Sequence, residues 1–86
     1  MDDIMYSHYV IVLDWAVEDD ERVEILGVAH TLEDAKKIFN ENLFEQREYT
    51  EEYGYKVYTD TDVMYEAGVS GEWRIEHTAL YIEGVK

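Results

Sequence analysis

Residues 6–17 alternate between two faces. Tyr9, Ile11, Leu13, Trp15 and Val17 fall on one side, and His8, Val10, Val12, Asp14 and Ala16 on the other. β-Branched and aromatic residues dominate, so the pattern predicts a long strand. Val10 and Val12 imply some cover on the second face as well. The run Glu18-Asp19-Asp20-Glu21 ends the alternation. Four adjacent acids repel one another and require water, which suits a hairpin tip. Residues 22–29 return as a second strand. The period then changes. Leu32, Ala35, Phe39, Leu43, Gln46 and Tyr53 share one side at about 100° per residue, which predicts a helix from 32 to about 53. Thr31 is placed to accept from a free N–H of the first turn, and Glu33 and Asp34 sit at the positive end of the helix dipole. Gly54 marks the stop, because glycine adopts positive φ without a Cβ clash.

Alternation resumes at 55–59 as a third strand, predicted to run on through 63–67 with an irregularity at Asp60-Thr61-Asp62. Gly68-Val69-Ser70-Gly71 reads as a turn. Residues 72–82 make a fourth strand, with Trp73, Ile75, His77, Ala79 and Tyr81 on one face and Arg74, Glu76, Thr78, Leu80 and Ile82 on the other. The order ββαββ predicts an α+β fold: a four-stranded antiparallel sheet with one long helix. Phe39, Leu43, Trp15 and Trp73 are expected among its most buried side chains. One helix covers one face of a sheet. The other is expected to carry Val10, Val12, Leu26, Val28, Leu80 and Ile82, which makes a homodimer packed on that face an alternative.

Eighty-six residues leave room for one domain, 1–86, with 1–4 as a tail and Met5 as an alternative start. A hydrophobic content of 47% separates the chain from disordered acidic tails. Charge changes the picture most: 21 acids against 7 bases give a net −14. Such a chain repels nucleic acid and anionic membranes, so neither is expected as a direct partner. The absence of Cys excludes disulfides, thiolate metal sites and cysteine nucleophiles. The N-terminus is acidic where a secretion signal is basic, and the longest apolar run, 9–13, is too short to span a bilayer. A cytoplasm, microbial or that of an infected cell, is the expected location.

The helix carries the most specific candidate chemistry. With Asp34 at zero degrees, Glu41, Glu45, Glu48 and Glu52 fall within about 40° of it, a stripe about 27 Å long at 1.5 Å per residue. DNA presents one phosphate per about 3.4 Å on each strand, so the stripe is sparser than a phosphate row but of the same order. It lies about 130° from the apolar face and should be exposed. Like charges at i, i+4 disfavour a helix by roughly 0.2–0.5 kcal/mol per pair, and Lys37 is the one cation placed to relieve them. Asp19, Asp20 and Glu21 at the hairpin tip form a second acidic patch. Tyr49, Tyr53, Tyr55, Tyr58 and Tyr65 are expected at least partly exposed, and tyrosines beside acids suit a protein interface. Asp60 and Asp62, with Glu66, are the one metal-like constellation, but Met64 and Tyr65 hold places that a Ca²⁺ loop gives to a ligand and a glycine. His8, His30 and His77 lack zinc spacing, although His8 and His77 on neighbouring strands can meet. Ser7 and Ser70 lie in no nucleophile elbow, and no glycine-rich phosphate loop follows a strand. No enzyme activity and no cofactor are expected.

In size, absence of Cys and Pro, net charge and the stripe Asp34, Glu41, Glu45, Glu48, Glu52, the chain resembles the small acidic proteins of phages and mobile elements, among them nucleic-acid-mimicking inhibitors such as anti-CRISPR proteins and restriction inhibitors. The resemblance is one of class. It carries no functional residues over by itself. With the residue pattern it leads to the expectation of a non-catalytic binding protein that occupies the basic groove of a DNA- or RNA-binding partner, with the stripe, Tyr49 and the tip acids Asp19, Asp20 and Glu21 as the candidate contacts. The alternatives are a homodimeric structural or regulatory module whose acidity serves solubility, and a divalent-cation-binding domain at Asp60, Asp62 and Glu66.

Overall fold

The computed structural model describes residues 6–17, 19–71 and 75–86. The expectations for the 1–4 tail, for Glu18 and for Trp73 fall outside them. The elements are β1 (His8–Val17), β2 (Asp20–Ala29), α1 (Leu32–Tyr53), β3 (Lys56–Asp60), β4 (Met64–Ser70) and β5 (Ile75–Val85). All strand pairings are antiparallel, in the order β2-β1-β5-β4-β3, with the helix on one face. The α+β class therefore stands, but the sheet has five strands, not four.

The fifth strand arises at Asp60-Thr61-Asp62, expected as an irregularity within one strand. It is a full hairpin turn. The Thr61 hydroxyl accepts from the N–H of Val63 (3.3 Å) and of Met64 (3.0 Å), and the Thr61 N–H donates to the Met64 carbonyl at 2.8 Å. This local competition for backbone groups is what lets a threonine close a turn. The run 68–71, expected as a turn, instead continues β4 as far as Ser70. Gly68 is there for space: a Cβ would collide with the Glu76 carbonyl oxygen of β5.

The helix matches its expected bounds. Thr31 accepts from the Asp34 N–H at 3.1 Å, and Gly54 ends the helix at φ 67°. Its inner side buries Ala35, Phe39, Gln46 and Thr50. Beneath it lie Ile11 from β1, Ala29 from β2, Tyr65 and Ala67 from β4 and Leu80 from β5. Tyr65, Phe39, Ile11 and Leu80 are the largest fully buried side chains.

Register corrects the expected faces. Ile11 pairs with Ile82 and Leu13 with Leu80, so Leu80 and Ile82 turn toward the helix with Thr78 and Glu76. Tyr81, Ala79 and His77 turn away. A bulge in the β1–β2 ladder between Ile11 and Val12 makes Leu26 the extra residue and packs it on the core, so Leu26 also leaves the outer face. Val10, Val12 and Val28 stay on that face, joined by Ile25 and Val23. Trp15 is half-buried at the end of the core rather than among its most enclosed residues, and Leu43 packs on the core from a half-buried position.

The polar residues on the buried face are satisfied. Thr78 donates to the Gln46 side-chain oxygen at 2.8 Å, Tyr65 to the Thr50 hydroxyl at 2.8 Å, Thr50 to the Gln46 carbonyl at 2.8 Å, and Tyr55 to Glu76 at 2.7 Å. Among the described residues no buried side-chain nitrogen or oxygen lacks a partner. Tyr55 and Tyr65, expected partly exposed, are thus buried anchors, whereas Tyr49, Tyr53 and Tyr58 are exposed as expected.

Candidate functional site

The two flanks of α1 differ in charge. On one, Lys36 reaches Asp62 at 2.9 Å, and Arg47 holds both oxygens of Asp60 at 3.0 Å while its guanidinium lies 5.4 Å from the centre of the Tyr65 ring. These pairs tie the helix to the β3–β4 turn. The hydrogen bond and charge of Lys36 hold the Asp62 carboxyl below its ordinary range. Asp60 and Asp62 are thereby occupied by helix cations. Glu66 points from the other face, where it accepts from the Thr59 hydroxyl at 3.2 Å and lies 3.1 Å from His77 Nε2. The structure does not bring Asp60, Asp62 and Glu66 together, and the described residues hold no group of three or more metal-ligating side chains. His8 and His77 do not meet: His8 pairs with Val85 at one end of the β1–β5 ladder and His77 with Ala16 near the other.

The opposite flank faces β2. Gly27 of β2 leaves room for Ile38, whose Cγ2 would stand 3.0 Å from an added Cβ, so this side of the helix sits over the β2 edge. Asp34, Glu41, Glu45, Glu48 and Glu52 lie along it, all exposed. Among the described residues the stripe's one ion pair is Asp34–Lys37 at 3.7 Å, since Lys36 and Arg47 point to the far flank. Asp19, Asp20 and Glu21 are exposed too, but their placement differs from the expected tip. Asp20 and Glu21 belong to β2, where successive residues take opposite faces, and Asp20 also lies 3.8 Å from Arg22.

Between the C-terminal half of α1 and strands β1, β2 and β5 a cleft of about 230 Å³ opens, with Glu45 of the helix and Glu24 of β2 both on its wall. One acid of the helix stripe and one of the hairpin therefore share this cleft. Tyr49 lies at the same opening, its ring 4.5 Å from that of Tyr53 and 6.5 Å from that of Tyr55. The hydrogen bond with Tyr53, partial burial and the negative charges of Glu52 and Glu76 raise the Tyr49 phenol above its ordinary value.

Phe44 was not among the expected site residues. It is 69% exposed, one turn from Glu41 and Glu48 on the outward side of the helix. The helical period was sufficient to find it: nine residues after Ala35, at 100° each, put it on the opposite side of the helix from that core residue.

No helix among the described residues is long and apolar enough to cross a membrane. No family model, curated protein or solved structure matches this chain.

Proposed function

We propose that this chain is a non-catalytic cytoplasmic binding protein whose acidic helix flank occupies the basic groove of a nucleic-acid-binding protein in place of DNA or RNA. One observation carries the reading: Glu41, Glu45, Glu48 and Glu52 line up exposed on one flank, while two of the three helix cations, Lys36 and Arg47, are committed to Asp62 and Asp60 on the other and the third, Lys37, pairs with Asp34 at the start of the stripe. An arrangement selected for helix stability alone would place those cations among the glutamates. Carboxylates in a Lys/Arg groove replace phosphates, speed association through the long-range field, and lose strength as salt rises. Phe44 adds an apolar anchor amid the charges, the kind of residue that carries much of the affinity at protein interfaces.

The test separates placement from net charge. Glu41, Glu48 and Glu52 are replaced together by Lys, and, as the control of equal charge, Asp19, Asp20 and Glu21 are replaced by Lys. The immobilised protein is offered cell extract, and bound proteins are challenged with duplex DNA or RNA. Release by nucleic acid, and loss of capture in the helix variant alone, support the mimic. Equal loss in both variants, or capture indifferent to nucleic acid, refutes it.

A second reading rests on a different observation. Val23, Ile25 and Val28 are 66%, 59% and 57% exposed on the sheet face away from the helix. A contiguous apolar patch on a small domain is a surface for association, here a second copy of the chain. Sedimentation equilibrium of the wild type and of Ile25→Asp checks it: a dimer lost in the variant supports the module reading, and a monomeric wild type removes it.

A further inference from the structure

Building on the mimic reading, we propose that the cleft between α1 and the β1–β2 hairpin receives the guanidinium end of an arginine side chain from the basic partner. Three aromatic rings, Trp15, Tyr49 and Tyr55, line it together with the carboxylates of Glu24 and Glu45. Among the described residues neither glutamate has a cationic partner. The polar floor is spoken for, because Thr78 and Gln46 bond to each other. What remains for a ligand is aromatic surface, the aliphatic side chains of Leu13 and Val17, and the negative charge of two carboxylates, a combination that suits an organic cation with an apolar stem. The Tyr49 phenol at the cleft opening is raised above its ordinary value first by the hydrogen bond with Tyr53 and by burial, and in smaller part by the negative charges of Glu52 and Glu76. The Arg22 guanidinium of this chain lies 5.7 Å from the Trp15 ring centre, outside the cleft lining, so it covers part of Trp15 and leaves Tyr49, Tyr55 and the remaining Trp15 surface to the ligand.

Size narrows the class. At about 230 Å³ the cleft is smaller than the roughly 300–1,000 Å³ of pockets that enclose drug-sized ligands. It suits one side chain, not a nucleotide. A planar guanidinium satisfies both features at once, stacking on a ring and presenting a fork of N–H donors to a carboxylate, which a lysine ammonium does less well. Glu45 belongs to the stripe as well as to the cleft wall, so an arginine bound here would be held in line with the phosphate-like row. The cleft then gives the docking face a fixed point that a charged stripe lacks.

The probe is Nα-acetylarginine amide titrated into the whole protein at low salt, followed by the indole N–H resonance of Trp15, with Nα-acetylcitrulline amide as the neutral isostere. A saturable shift of Trp15 with the arginine compound and none with citrulline is expected. In the variant Glu24→Gln with Glu45→Gln the dissociation constant should rise roughly tenfold or more, the loss of about one charge-assisted hydrogen bond. Both positions are exposed, so the amide spectrum should otherwise keep its pattern. Equal shifts from citrulline overturn the proposal, as do shifts spread over Glu41, Glu48 and Glu52 without Trp15, which mark a diffuse counterion. If the cleft refuses arginine while Lys at Glu41, Glu48 and Glu52 still abolishes partner capture, the cleft assignment falls and the mimic reading survives.

Discussion

Phe39 and Phe44 sit five residues apart on one helix and do opposite things. Phe39 is fully enclosed by the sheet, so Phe39→Ala leaves a cavity and should cost about 3–5 kcal/mol, a large share of the stability of a domain this small. Phe44 contacts mainly water, and Phe44→Ala should change the urea midpoint little, within about 0.5 kcal/mol. If Phe44 is an anchor, the same variant weakens partner capture at unchanged stability; a stability loss comparable to that of Phe39→Ala would mean that the helix is rotated. Tyr65→Phe tests the buried polar chain. It removes one donor to Thr50, which still donates to Gln46, so the loss should be about 0.5–1.5 kcal/mol rather than that of an emptied core site. Periodicity gave Phe39 its place. It could not do so for Tyr55 and Tyr65, because a tyrosine reads alike on a wet sheet surface and in a core where its hydroxyl finds a partner.

The helix is a strong element with defined ends, and each end offers a test. Thr31→Ala removes the cap to Asp34 N–H and should cost about 1 kcal/mol, a fall of roughly 4–8 °C in melting temperature for a domain of this length. Gly54→Ala forces a Cβ into φ 67° and should cost about 1–2 kcal/mol, although nothing crowds the added atom. The Arg47–Asp60 pair ties α1 to the β3–β4 turn, but both side chains are substantially exposed, and screening limits such pairs to about 0.2–1 kcal/mol. Arg47→Gln should therefore lower stability less than Gly54→Ala does, and thermal denaturation ranks the two. The strands show why elements of one type differ in legibility. β1 alternates cleanly and its faces follow from residue order. β5 carries apolar residues on both sides, Ala79 and Tyr81 against Leu80 and Ile82, so its orientation depends on which of them meets Leu13 and Ile11.

Fourteen uncompensated negative charges act on the domain as a field. Raising salt from about 0.01 M to 0.15 M shortens the Debye length from about 30 Å to 8 Å and should raise the melting temperature, because screened self-repulsion outweighs the few exposed ion pairs it also weakens. A flat response would show that the acids are too dispersed to repel collectively. At alkaline pH the sign is set by two phenols. Tyr49 is raised by its bond with Tyr53, burial and nearby negative charge, and Tyr81 by burial first, then by Glu83 and Asp14. Above the unfolded phenol value of 10.0 the unfolded chain releases these protons while the folded one retains them, so stability falls as pH rises through that range. Denaturation midpoints measured on either side of pH 10 should show the decline, and Tyr49→Phe with Tyr81→Phe should flatten it. Asp62 works in the opposite direction: its lowered value favours the fold at neutral pH, and that contribution disappears as pH drops through the folded value.

Residue order was enough for the helix, its two caps, the existence of the first two strands, the net charge and the alignment of the glutamates, since each depends on local period or on composition. It was not enough for the number of strands: a threonine turn and a strand irregularity share the same three letters until the Thr61 hydroxyl is seen capturing two N–H groups. Nor could it assign Leu26, Leu80 and Ile82 to the core, because one bulge or one step of register reverses every side chain beyond it. The acidic flank divides the same way. That five acids align on α1 follows from 100° per residue. That Lys36 and Arg47 turn from them toward Asp62 and Asp60, and that Glu45 meets Glu24 across a cleft walled by aromatic rings, follows from packing α1 across the sheet, which brings together residues distant in the chain.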